Sequence, residues 1–326
     1  MRKGLWLVTL LLGLVIDSVA AIPFKPGDIL LPYGEKVIGV FSPSGGPPRT
    51  TLSTDPSVFD SSTTSLKGGG IAFDENFEYL YVTVKDANIN GNTNAAIVKF
   101  NAAGQKVATF IDNSVGDDFR DLAVRSGYIY VATPSGVRVY KADNGDYITT
   151  LGNINARSVA FDSQGTLYAL TYNQVYKWDG SKFNSLDLTG LDDAHDLAFD
   201  SAGNLYVTDG TQHHINKFGK TDGGFDKKPV TITIPNFTTG AVFGIAYDRF
   251  INTFYASIST SQKINQIVTF NPNSSSTVDV PNTSDYSGVR WLEVYPTPEP
   301  ASFMLFGSGL VVVLWFWRRR SEGQCR

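Results

Sequence analysis

Hydrophobic and polar residues alternate in short runs through most of the chain, and the runs recur. "GIAFDENFEYLYVTV" from Gly70, "DLAVRSGYIYVAT" from Asp121, "SVAFDSQGTLYAL" from Ser158, "DLAFDSAGNLYVTD" from Asp196 and "GIAYDRFINTFYASI" from Gly244 follow one pattern, with "GVRWLEV" from Gly288 as a partial sixth copy. Successive starts lie 37 to 51 residues apart, so the differences in length fall in loops. Each copy predicts four strands. A short apolar strand ends at an aspartate, as at Asp162 and Asp200, and a turn containing Gly or Asn follows. An alternating strand such as "TLYAL" or "NLYVT" comes next, then a third such as "GVRVYKADNG" or "NQVYKWDG", and a weaker fourth such as "YITTLG" or "KPVTITI". Four antiparallel strands in roughly 40 residues, repeated, are the pattern of a propeller blade.

The two ends of the repeat region complete each other. The segment 27–52, "GDILLPYGEKVIGVFSPSGGPPRTTL", reads as the second, third and fourth strands of a blade, and "GVRWLEV" reads as the missing first. The expected fold is therefore an all-β, six-bladed β-propeller over residues 22–295. It closes by pairing the N-terminal strands with the last C-terminal strand, which leaves no open sheet edge at the seam. A seventh blade would have to fit between Ser53 and Gly68, a Ser/Thr-rich stretch that reads as a loop. In its strand pattern and in turns such as "FDSAGNLY" from Phe199, the body resembles propellers of the NHL type, related in shape to six-bladed lactonases. The lactonase side of that resemblance implies a Ca2+ or Zn2+ in the central channel, held by acidic and amide side chains. It supplies the alternative function, a metal-dependent lactonase- or lyase-like enzyme with its site in that channel.

The chain ends read as address labels. "MRKGLWLVTLLLGLVIDSVAA" has a basic start, a short apolar run and small residues at signal-peptidase spacing, so residues 1–21 are expected to be a signal peptide cut after Ala20 or Ala21. At the other end, Pro298, Glu299 and Pro300 precede an uncharged stretch, 301–317, and then Arg318, Arg319 and Arg320. As a helix the stretch would be about 25 Å long, close to a bilayer's hydrocarbon core, with the arginines stopping it on the cytoplasmic side. These parts, in this order, make residues 296–326 resemble a PEP-CTERM sorting signal. The resemblance implies processing near Pro298, Glu299 and Pro300 by an exosortase, a membrane-embedded protease of Gram-negative bacteria. It also implies export across the inner membrane, anchoring by the 301–317 helix, later release to the envelope or extracellular space, and an association with exopolysaccharide and biofilm.

Composition narrows the picture further. The net charge of −4 gives no basic face for nucleic acid, and a single cysteine, Cys325, excludes an internal disulfide. The repeated Asp74, Asp162, Asp200 and Asp248 are expected to hydrogen-bond the amides of the turns that follow them rather than a metal; Arg125 stands in that place in the second copy. The tyrosines Tyr79, Tyr81, Tyr168 and Tyr206 are expected to pack between blades. A ligand site is expected at the channel mouth, where the residues preceding the repeats fall: Gly69, Arg120, Arg157, His195, Phe243 and Ser287. Of these, Arg120, Arg157 and His195 are the candidate binding residues, since paired guanidiniums suit a carboxylate, sulfate or phosphate. Asp117, Asp118, Asp192 and Asp193 are placed to neutralise them in a salt-bridge network instead. For a metal, the rim positions themselves offer no carboxylate, Asp121 and Asp196, one residue further on, being the only rescue, and His213 and His214, as neighbours on an extended chain, point apart. No nucleophile elbow, phosphate loop or dinucleotide fingerprint occurs. The expected function is a non-enzymatic binding protein of the envelope or matrix with a polysaccharide or protein partner and no assigned catalytic residue, metal ligand or cofactor. Ca2+ belongs only to the enzymatic alternative.

Overall fold

The structure is a computed structural model, which describes residues 24–33, 37–44, 48–53, 68–89, 92–112, 118–211, 214–234, 241–259, 265–273, 278–280 and 292–295. The expected signal peptide, the 301–317 helix, Pro298, Glu299, Pro300, Arg318, Arg319, Arg320, Asp117, His213 and Ser287 lie outside the described residues.

Six four-stranded antiparallel sheets form the body. Blade 1 takes its innermost strand from the C-terminal end, Glu293–Val294, and the rest from the N-terminal end, Ile29–Tyr33, Val37–Phe41 and Thr50–Ser53. The seam pairs Ile29 with Val294 and Leu30 with Glu293, as the split repeat predicts. Blade 2 runs from Gly68–Phe73 to Lys106–Asp112, blade 3 from Asp121–Arg125 to Tyr147–Leu151, and blade 4 from Ser158–Phe161 to Phe183–Ser185. Blade 5 runs from Ala194–Phe199 to Val230–Thr233 and blade 6 from Ala241–Asp248 to Val278–Val280. Blade 5 also carries a small hairpin, Lys220–Thr221 with Gly224–Phe225, which the repeat pattern does not predict. The innermost strands neighbour one another around the ring, and Glu293–Val294 sits between those of blades 6 and 2.

The apolar core is divided into six sectors, one at each junction between successive blades. Period-2 alternation explains the division, because successive side chains of a strand point to opposite faces of its sheet and each face meets a different neighbour. In blade 5, Leu205 and Val207 join the sector shared with blade 4, while Tyr206 between them joins the sector shared with blade 6. Tyr81, Tyr168 and Tyr206 are fully buried at equivalent strand positions, as inter-blade packing requires, and Tyr206 lies 4.2 Å from Phe254 of the next blade.

The repeated aspartates hold turns. Asp74 Oδ1 accepts the amides of Glu78 and Tyr79, Asp162 Oδ1 those of Gln164 and Thr166, and Asp248 Oδ1 that of Phe250. Asp200 accepts the Asn204 amide at 2.8 Å and the Tyr206 hydroxyl at 3.1 Å. Asp200→Ala is expected to cost about 2 kcal/mol, because it removes several hydrogen bonds and leaves the buried Tyr206 hydroxyl dependent on the Pro272 carbonyl, 3.3 Å away. Denaturant titration checks this; a loss below about 0.5 kcal/mol would show that the turn holds itself.

Candidate functional site

The six innermost strands enclose a channel cavity of about 260 Å3. Aligning the strands shows why it is narrow. Their central position is Ala72, Ala123, Ala160, Ala198 and Ala246 in blades 2 to 6, and all five alanines line the cavity. Strands converging on an axis leave room there for little more than a methyl group. Blade 1 breaks the series with Glu293, whose carboxyl borders the cavity and accepts the Val294 amide at 2.8 Å. Burial pushes this carboxyl up to about 8, aided by the negative charges of Asp121 and Asp248.

Two positions earlier on each strand lies a second ring: Gly70, Asp121, Ser158, Asp196 and Gly244. Asp121 of blade 3 accepts the Val159 amide of blade 4 at 2.9 Å. Asp196 of blade 5 accepts the Ile245 amide of blade 6 at 2.8 Å, along with its neighbour Leu197's amide. Ser158 bridges the pair, its Oγ 2.7 Å from Asp121 Oδ2 and 2.6 Å from Asp196 Oδ1. A hydroxyl has one proton to donate, so both short contacts form only when one carboxyl is protonated and donates back to the serine oxygen. Burial, then the charge of Asp121, raises the Asp196 carboxyl well above the usual range. Gly70 is required by the same crowding, since a Cβ there would lie 2.4 Å from the Asp121 Cα.

At the mouth, the structure turns the candidate residues toward their neighbouring blades. Arg120 donates to Asn155 Oδ1 and, at 3.1 Å, to the Ala156 carbonyl, and its Nε lies 3.3 Å from Asp118. Arg157 donates to Asp193 Oδ1 at 2.7 Å and to the Ala194 carbonyl at 2.9 Å, with its guanidinium 4.5 Å above the Tyr172 ring. His195 Nε2 lies 3.3 Å from Asp193 Oδ2, and the imidazole packs edge-on against Phe243 at 4.6 Å. Asp193 thus joins Arg157 and His195 in one cluster, while Arg120 is engaged separately. Each arginine clamps its own blade to the next one.

Sequence reasoning placed Asp121 and Asp196 near the rim but missed Ser158 and Glu293. Counted from Gly288, the sixth copy puts Arg290 at the alanine position; the structure places Glu293 there, three residues later, so the aligned copies carry no signal for it. The Ser158 bridge has no signal either, since it exists only once three blades meet. As a seat for Ca2+ these residues fit poorly. A hard cation takes six to eight oxygens, whereas Asp121 and Asp196 bond amides and Ser158, and among the described residues no group of three or more His, Cys, Asp or Glu is arranged to hold a metal.

Comparison with solved structures supports the architecture. A protein of unknown function from Bacteroides caccae superposes with a TM-score of 0.60 at 10% identity, covering 83% of this chain and 99% of its own. A chain of the mitotic checkpoint complex gives 0.53 at 14% identity over 82% of this chain and 81% of its own. Streptogramin B lyase gives 0.51 at 17% identity over 69% of this chain and 72% of its own. At these identities the likeness is one of fold alone. No curated protein matches the sequence. Residues 296–320 match the PEP-CTERM protein-sorting motif, which implies export, membrane anchoring before processing and an exosortase-type protease as processing partner. The chain is a six-bladed β-propeller that carries a PEP-CTERM sorting motif behind its last strand.

Proposed function

We propose that this chain is a non-catalytic binding module of the bacterial cell envelope or extracellular matrix. In this reading the 301–317 helix anchors it until an exosortase-type protease cuts near Pro298, Glu299 and Pro300. The propeller is then released outside a Gram-negative cell that exports polysaccharide. One observation carries the non-catalytic part: the polar side chains at the channel and its mouth are engaged in holding blades together. Arg120 and Arg157 cap carbonyls of the next blade, and Asp121 and Asp196 cap its amides. We therefore read Arg120, Arg157 and His195 as clamps of the ring.

The enzymatic alternative has one observation in its favour. Burial and the charge of Asp121 shift the Asp196 carboxyl upward, the direction a general acid needs. The narrowness of the alanine-lined channel weighs against it, because a substrate would have to reach a buried group behind the Arg157–Asp193 clamp.

The test is the intact mass of the protein from its native cells, separated into membrane and medium. A species in the medium that begins near Ile22 and ends near Pro298 is the expected result. A single membrane species retaining Arg318, Arg319 and Arg320 would overturn the release step and make the propeller a permanently tethered module.

A further inference from the structure

One blade departs from the repeat, and the departure coincides with a second cavity. Arg125 of blade 3 stands where blades 2, 4, 5 and 6 place a turn aspartate. Its guanidinium reaches across to blade 4, where it lies 5.5 Å from the Phe161 ring centre and against the backbone of Gly165. A Cβ on Gly165 would come within 2.9 Å of Arg125 Nε, so glycine is what lets the guanidinium lie there. The ion pair that Arg125 makes with Glu75 is loose, at 3.6 Å, and about a third of its side chain is exposed.

Phe161 and Gly165 help to line a groove of about 490 Å3 between blades 3 and 4, a volume within the usual range of small-molecule sites. Tyr128, Tyr130 and Trp178 add aromatic rings to its lining. Tyr128 and Ile148 stand exposed at its edge. The aromatic lining alternates with polar atoms: the hydroxyls of Tyr128, Tyr130, Thr149 and Thr166 line or border the groove, and none has a hydrogen-bond partner among the described residues. Elsewhere the equivalent hydroxyls are engaged, as Tyr168 and Tyr206 are with their turn aspartates.

We propose that this groove binds the ring of an acidic sugar, a hexuronate unit of a polysaccharide. A pyranose has an apolar C–H face and a rim of hydroxyls, which matches aromatic faces interleaved with unengaged hydroxyls. A carboxylate on that ring is the complement of the guanidinium beside Phe161 and Gly165. A neutral apolar ligand would leave the hydroxyls dry and unpaired, and a simple anion would leave the aromatic faces without a contact.

The proposal rests on the binding reading above and names its ligand, and the test separates the two. Full-length protein in a detergent without a sugar headgroup is titrated calorimetrically with a tetrasaccharide of glucuronic acid and with the neutral glucose tetrasaccharide of the same linkage. The acidic one is expected to bind roughly tenfold more tightly, the difference one charge-assisted contact makes. Arg125→Gln is expected to bring it down to the neutral level, and Tyr128→Ala, at an exposed position, to weaken both sugars while leaving the melting temperature unchanged. No heat from either sugar, equal affinity for both, or affinity that survives both substitutions would each overturn the proposal. Any of those results obtained with a normally processed, released protein removes this ligand and leaves the sorting reading intact; loss of processing removes the sorting reading and leaves the titration valid.

Discussion

Asp112→Ala is expected to destabilise the propeller by about 3–5 kcal/mol, the usual cost of stranding one member of a buried ion pair. Asp112 ends the outer strand of blade 2, and Arg138 lies on the third strand of blade 3, with Nη2 2.9 Å from Asp112 Oδ2 and both residues more than nine-tenths buried. The Tyr140 hydroxyl donates to the same carboxyl oxygen at 2.6 Å. Burial and this bond to a carboxylate hold the phenol well above the ordinary tyrosine range. Removing the carboxylate takes the ion pair from a buried guanidinium that also lies 4.6 Å from the Tyr147 ring. The double variant Asp112→Leu/Arg138→Leu is expected to recover most of the loss, because two apolar side chains avoid the desolvation of two charges. Guanidinium unfolding of the three proteins decides it; a single-variant loss under about 1 kcal/mol would mean that water reaches the pair.

The second large effect is a loss of stability at alkaline pH. Glu293 titrates near 8 in the folded ring and near 4.5 in a free chain, so between these values the folded state holds a proton that the unfolded state lacks. Stability contributed in this way is fully present below about 4.5 and falls as pH rises through about 8. Asp196, raised for the same reason, acts with the same sign. The summed effect from pH 5 to 9 is expected to be on the order of 3 kcal/mol, less than the full shift would give because the Glu293 carboxyl borders the channel. Glu293→Gln keeps the shape without the titration and is expected to be the more stable protein at pH 9. Unfolding midpoints at three pH values test it, and an unchanged slope in the glutamine variant would assign the pH dependence to other groups.

The repeat was legible because each blade solves the same local problem. A strand with both faces buried, a turn and an aspartate to cap that turn recur in sequence as they do in space. The split sixth copy was legible for the same reason, since "GVRWLEV" lacks the strands that residues 27–52 supply. What could not be read is what forms between blades. Arg120 and Arg157 read along the chain as a cationic pair or as members of a salt-bridge network with nearby aspartates; Asp118 and Asp193 do pair with them, and the next blade's carbonyls add a partner that only ring geometry provides. Ser158 is an ordinary serine until two carboxyls arrive from either side. Asp112 and Arg138 are 26 positions apart on different sheets, with no shared motif to link them. The small hairpin at Lys220–Phe225 escaped notice because it lies inside a loop and outside the four-strand count.

The seam also gives the ring a direction. The innermost strands all run the same way, from the rim that holds Arg120, Arg157 and His195 to the rim of the turn aspartates. Tyr295 follows the closing strand at the position of those aspartates, and it is fixed there among Phe24, Phe73 and Phe77 with ring centres 5.4 to 6.3 Å apart. The chain therefore departs from the turn side. Pro298 follows three residues later, a reach of about 10 Å at most. The sorting motif, residues 296–320, therefore begins next to the turn side of the disc, and the rim with Arg120, Arg157 and His195 is the opposite one. Tethered or newly cut, the molecule has a back and a front, and the position of its last strand decides which is which.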